Sequence, residues 1–160
     1  MSINVGDRIP EVALKRLRDG LETVDTYALF DGRKAVLFAV PGAFTPTCSA
    51  RHLPGYIEHF EQFRSRGIEV FCMAVNDPFV MQAWAKTHSV PAGLQMLSDG
   101  NGDFTRALGL ELDASSSGMG IRSRRFALYV ENGMVRSCFI EQPGEFEVSS
   151  AEHVLAHLPS

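Results

Sequence analysis

Residues 35–40, Ala-Val-Leu-Phe-Ala-Val, form an unbroken apolar run, the pattern of a strand buried on both faces. A second run, Ile68-Glu69-Val70-Phe71-Cys72-Met73-Ala74-Val75, predicts another. The first run stops abruptly at Pro41-Gly42-Ala43-Phe44-Thr45-Pro46. The pattern beyond it predicts a helical stretch from about Thr47 to Arg66, with a kink or break at Pro54-Gly55. Gly67 is a natural stop for that stretch.

Asn76-Asp77-Pro78 reads as a helix start, with Phe79, Val80, Ala83 and Trp84 in the helix that follows. A shorter strand is expected near Leu94 to Leu97 and a short helix near Asp103 to Leu108. Ser115-Ser116-Ser117-Gly118 reads as loop. Phe126-Ala127-Leu128-Tyr129-Val130 and Met134 to Ile140 flank Asn132-Gly133, a strong hairpin signal because both turn residues tolerate positive φ. Ser149-Ser150-Ala151-Glu152 has capping-box spacing ahead of a C-terminal helix carrying Val154, Leu155 and Leu158. The first thirty residues add a small strand pair. The order βα, βα, hairpin, helix predicts an α/β protein in which a mixed central sheet has helices on both faces. That is the packing of the thioredoxin-like fold, here as one domain over residues 1–160.

Composition adds exclusions. With a formal net charge of −4 the chain lacks the basic character of a nucleic-acid or anionic-membrane partner. No apolar run approaches the ~20 residues a membrane span requires. The N-terminus Met1-Ser2-Ile3-Asn4-Val5-Gly6-Asp7 lacks the basic start and apolar stretch of a signal peptide, so the expected location is cytoplasmic. Cys48, Cys72 and Cys138 are too few and too scattered for a zinc site or a disulfide framework.

Cys48 falls just past a buried strand, at the start of the following helix. Unpaired backbone N–H groups and the positive end of the helix dipole converge there and stabilise a thiolate, the nucleophilic form. Thr45 stands three residues earlier. A hydroxyl cannot form a disulfide, but it can hydrogen-bond a thiolate and a substrate oxygen; a simple helix cap is the alternative. Pro41 and Pro46 rigidify the turn. In the basic cluster Arg122-Ser123-Arg124-Arg125, one arginine reaching the pocket would stabilise charge on the sulfur and on the oxygens of a bound substrate, the other two forming a solvated face.

Pro41-Gly42-Ala43-Phe44-Thr45-Pro46-Thr47-Cys48-Ser49 resembles the active-site motif of the peroxiredoxin-5 or type II peroxiredoxin family. The resemblance continues through Val75-Asn76-Asp77-Pro78-Phe79, Gly109-Leu110-Glu111-Leu112-Asp113 and Ile121-Arg122-Ser123-Arg124-Arg125-Phe126-Ala127-Leu128. It implies that Cys48 attacks hydrogen peroxide or an alkyl hydroperoxide and becomes a sulfenic acid. Thr45 would orient the peroxide, Pro41 cover the pocket and Arg125 face it, with no metal or organic cofactor. The resemblance also implies a homodimer through the active-site face, near Phe44, Phe79 and the Gly109–Gly120 loop. Either an external thiol, from glutathione, glutaredoxin or thioredoxin, or Cys72 would resolve the sulfenic acid. The one-cysteine route is the expectation. Animal relatives carry a cysteine where this chain has Ser149.

His153 and His157 read as exposed polar positions, Trp84 as core and Cys138 as structural. A thiol-disulfide oxidoreductase would fit the fold but lacks its Cys-x-x-Cys, and a peroxide sensor without turnover would share the motif at Cys48.

Overall fold

The computed structural model describes residues 2–159. Strands β1 (Ala13–Leu17) and β2 (Leu21–Asp25) form the expected N-terminal pair, followed by the short helix α1 (Thr26–Phe30). Strand β3 (Lys34–Ala39) leads into a helical segment that widens into a π-helical turn over Cys48–His52, then continues as α2 (Leu53–Glu58) and α3 (Phe60–Ser65). Strand β4 (Ile68–Ala74), α4 (Pro78–Thr87), β5 (Leu94–Ser98) and α5 (Asp103–Leu108) follow. The small strands β6 (Glu111–Asp113) and β7 (Ile121–Ser123) precede the hairpin β8 (Phe126–Glu131) and β9 (Met134–Ile140), and α6 (Ala151–Ala156) comes last.

Seven strands make one mixed sheet in the order β2-β1-β5-β4-β3-β8-β9. Strands β3, β4 and β5 pair in parallel, and β8 joins β3 antiparallel. Alternation along β3 explains its apolar run. Val36 and Phe38 face one core with Tyr56, Phe63, Trp84 and Val154, while Ala35, Leu37 and Ala39 face a second with Phe30, Phe104 and Leu108. Helices therefore cover both faces, as the pattern predicts. Burying each of the larger side chains of β3 contributes on the order of 2 kcal/mol. At the hairpin, Asn132 and Gly133 take φ of 50° and 78°.

Three local expectations are corrected. The helix runs through Pro54-Gly55 and breaks at His59 instead. The π-helical turn ends with the Leu53 N–H on the Cys48 carbonyl, which places Pro54 in the first turn of α2, where its missing N–H costs no ladder bond. The Gly109–Gly120 region contains β6, which pairs with β7 as a second small sheet, and Ser115–Ser117 forms a 3₁₀ turn. The cap of α6 is Ser150, whose side chain accepts from the His153 N–H, while Ser149 is buried.

Candidate active site

The sheet brings two distant segments together. Phe126 pairs with Ala39 in the β8–β3 ladder, so Arg125 lies beside the loop that leaves β3. That loop is tightly held. The Ala43 N–H donates to Asn76 Oδ1 (2.9 Å), and the Ser49 N–H donates to the Thr45 carbonyl (2.9 Å). Phe44 adopts φ 67°, rare outside glycine and often stored at functional sites. A Cβ on Gly42 would meet Met119, Arg122 and Thr45 side-chain atoms at 3.0–3.1 Å, so any larger residue would require those neighbours to shift.

Cys48 is fully buried at the end of this loop. Arg125 Nη2 donates to its Sγ at 3.3 Å, and Arg125 Nη1 lies 2.9 Å from His52 Nδ1. A guanidinium has only donors, so His52 Nδ1 must accept and the ring proton sits on Nε2. That N–H donates to the Ser149 carbonyl (3.1 Å), which also accepts from the Tyr56 hydroxyl (2.8 Å). Burial first, and then the Arg125 charge, lower the His52 pKa to about 3, so the ring is neutral. The fork of Arg125 is thus divided between the sulfur and a neutral imidazole, and its charge faces Cys48.

Thr45 makes no hydrogen bond to the sulfur. Its hydroxyl donates to the Gly42 carbonyl (2.6 Å), which leaves its lone pairs free to accept from an O–H. Pro41 is half-buried and lines a cavity of about 220 Å³ with Thr47, Arg124, Arg125 and Glu141. Cys48 does not line it; Arg125 does, and also meets the sulfur. A cavity of similar size bordered by Arg16, Met81 and Leu94 contains none of the predicted site residues.

Residues 4–155 match the family described as Redoxin. Peroxiredoxin-2D of Arabidopsis thaliana is 48% identical over 98% of both chains. The chain belongs to this family, as a type II peroxiredoxin. The hybrid peroxiredoxin hyPrx5 of Haemophilus influenzae is 41% identical over 99% of this chain and 67% of its own. Among solved structures, reduced Prx3 of Vibrio vulnificus in complex with hydrogen peroxide is 44% identical, with a TM-score of 0.91 over 96% of this chain and 94% of that one. As a peroxiredoxin the protein is a thiol peroxidase.

The other two cysteines of this peroxiredoxin have different settings. Cys72 is fully buried in mid-β4, between Phe38 of β3 and Met96 of β5. It belongs to the same apolar cluster as Cys48. Burial, and then charge at Cys48, push its thiol well above the ordinary range. Cys138 is half-buried in β9, and burial also raises its pKa.

The expected solvated face of two arginines is not present: Arg122, Arg124 and Arg125 are all partly buried. Arg122 Nε donates to the Met119 carbonyl (2.9 Å), and Arg124 Nη2 donates to the Glu141 carbonyl (2.7 Å). These residues lie in or between strands of the fold, and their side chains tie loops down. Trp84 is core, with its Nε1–H donating to Ser49 Oγ at 3.0 Å. His153 is half-buried and stacks on the exposed His157 at 4.1 Å. Among the described residues no group of three or more His, Cys, Asp or Glu side chains is arranged to hold a metal, and no helix is long and apolar enough to cross a membrane.

Sequence reasoning missed His52, Tyr56 and Glu141, and noted Ser149 only for its capping-box spacing and as the place of a cysteine in animal relatives. A signal existed for one of them. His52 is four residues after Cys48, a spacing that puts two helical side chains on neighbouring positions.

Proposed function

We propose that Cys48 is the peroxidatic cysteine, acting on hydrogen peroxide and small alkyl hydroperoxides. The observation that carries this is the Arg125 guanidinium 3.3 Å from Cys48 Sγ with its other arm fixed on His52. The Cys48 thiolate attacks one peroxide oxygen, an S–O bond forms and the O–O bond breaks. The sulfur loses two electrons to become a sulfenic acid, and the leaving oxygen takes a proton and departs as water or an alcohol. Arg125 stabilises negative charge as it passes from sulfur to the leaving oxygen. Thr45 Oγ1, its O–H engaged with the Gly42 carbonyl, accepts from the peroxide O–H and orients it, and Pro41 shields the pocket.

An external thiol then attacks the sulfenic acid, giving a mixed disulfide and water, and a second thiol releases the reduced enzyme. Glutathione with glutaredoxin is the preferred source, with thioredoxin the rival. Cys72 is a poor resolver as it stands, because its thiol is protonated and lies in mid-sheet. Its place in one cluster with Cys48 favours the intramolecular disulfide as the second reading, which requires the Cys48 turn to unwind. The exposed Phe44 (52%) and Phe79 (64%) are the apolar contacts of a homodimer on this face.

The test compares Cys72→Ser with the parent in steady-state turnover under glutathione–glutaredoxin and under thioredoxin. The one-cysteine route expects the variant to keep its rate with the preferred reductant. Loss under both, together with a quantitative Cys48–Cys72 disulfide after one equivalent of peroxide, would establish the second reading. A protein that stops after one equivalent with every thiol is a sensor.

A further inference from the structure

Behind Arg125 lies a chain of buried polar groups that the peroxide chemistry alone does not require. Glu141, at the end of β9, is only 2% exposed. Its Oε2 accepts from the Glu147 N–H (2.8 Å), the Ser149 N–H (2.8 Å) and the Ser149 hydroxyl (2.7 Å). Burial pushes this carboxyl up, but those hydrogen bonds outweigh it, and the net direction is down, so the group is ionised at neutral pH. Glu141 is also tied to the arginine segment through its backbone. Its N–H donates to the Arg125 carbonyl (3.0 Å), and its own carbonyl accepts from Arg124 Nη2 (2.7 Å). Buried carboxylates are rare without such partners, and this one gathers its donors from the loop that carries Ser149.

We propose that Glu141 and Ser149 are positioning residues for the Arg125–Cys48 pair, acting through the Ser149 carbonyl and the ring of His52. This rests on the roles of Cys48 and Arg125 given above. His52 has two tautomers, and only the one with hydrogen on Nε2 offers Nδ1 as an acceptor to Arg125. The Ser149 carbonyl selects that tautomer, because it is the acceptor facing Nε2. With that carbonyl displaced, the buried Nε2–H loses its partner. The alternative tautomer then becomes competitive and sets an N–H of His52 against an N–H of Arg125. The guanidinium turns away and its other arm leaves the sulfur. Glu141 prevents this by capturing both the N–H and the hydroxyl of Ser149. Its Oε2 is committed to the Glu147 and Ser149 donors, so its effect on the sulfur runs through Arg125.

That dependence gives the proposal a readout that a general loss of packing would not give. Single-turnover oxidation of Cys48 by hydrogen peroxide is measured in the parent, Glu141→Gln, Arg125→Ala and the double variant. The glutamine keeps the shape but removes the charge that holds two Ser149 donors. Glu141→Gln is expected to slow the reaction by roughly tenfold where Arg125 is present and to change it by less than about twofold where it is absent. An equal factor in both backgrounds, or no change in the parent, would overturn the proposal. If Glu141→Gln does not fold, Ser149→Ala removes a single hydrogen bond and is expected to show the same dependence on Arg125 with a drop of about threefold. The same two outcomes would overturn the proposal there. Cys48→Ser in the same assay distinguishes the two levels: peroxide consumption that survives it means the assignment of Cys48 has failed, and the coupling proposal with it.

Discussion

Cys48 and Cys72 are equally hidden from solvent, belong to one apolar cluster and lie on the same side of the sheet, yet their surroundings differ in kind. Cys72 is held in mid-strand, where its backbone groups are committed to β3 and β5 and its neighbours are apolar. Cys48 sits where a strand has ended, on a turn widened to the π-helical form, with a guanidinium brought to it from another strand. Burial pushes the Cys72 thiol up with no cation beside it among the described residues, whereas the Arg125 guanidinium meets the Cys48 sulfur. Exposure does not distinguish the two sulfurs; the charge that the fold delivers to one of them does.

The largest expected difference between the two regions is in peroxide consumption. Cys48→Ser should lower the rate by about a thousandfold or more. Cys72→Ser, tested with an external thiol, should stay within about threefold of the parent, since it changes a core packing atom only. A similar loss from both would erase the distinction drawn above. Next is the arginine. Arg125→Lys keeps the charge but cannot serve sulfur and imidazole with one rigid fork, and is expected to slow peroxide reduction by roughly tenfold to a hundredfold. Arg122→Lys and Arg124→Lys should have smaller effects. Equal losses at all three would mean a diffuse positive field in place of one aimed group.

Alkylation sharpens the same contrast. In the folded protein iodoacetamide should label Cys48 at least about tenfold faster than Cys72 or Cys138, and urea should remove the difference. Peptide mass mapping over time reads this directly, and labelling of Cys72 at a matching rate would show that its strand opens readily.

The smallest effect is on stability in acid. His52 is neutral in the folded state until about pH 3, whereas the unfolded ring takes a proton near 6.5. Between those values the unfolded chain binds more protons, so stability falls as pH falls, with a limiting slope of about 1.4 kcal/mol per pH unit. His52→Asn should flatten the change in urea midpoint between pH 6 and pH 4. An unaltered slope would mean that other groups dominate acid sensitivity.

How much of this was legible in the sequence depends on whether the signal is local. The strands around 35–40 and 68–75 were readable because burial on both faces leaves an unbroken apolar run. Asn132-Gly133 was readable because positive φ restricts the residues allowed. Cys48 announced itself through its place after a strand and its motif, and Arg125 through the same resemblance. Pro54 misled, since a proline breaks an α-helix but is accommodated after a π-helical turn. Arg122 and Arg124 misled because a charge run says nothing about the carbonyls that a neighbouring strand or loop will supply. Glu141 had no local signal, and the one at Ser149 pointed to a helix cap that Ser150 provides instead. His52 meets a carbonyl 97 residues away, and only the folded chain creates that contact.

Trapping the oxidised cysteine tests the central claim most directly. Reduced protein is treated with one equivalent of hydrogen peroxide in the presence of dimedone, which captures sulfenic acids, and the labelled cysteine is located by peptide mass spectrometry. Cys72→Ser is run in parallel so that an internal disulfide cannot hide the intermediate. The account predicts near-stoichiometric label on Cys48 in the variant, none on Cys138, and a marked slowing of label formation when Arg125→Ala is added. Label on Cys72 in the parent, or label on Cys48 that forms as fast without Arg125, would contradict it.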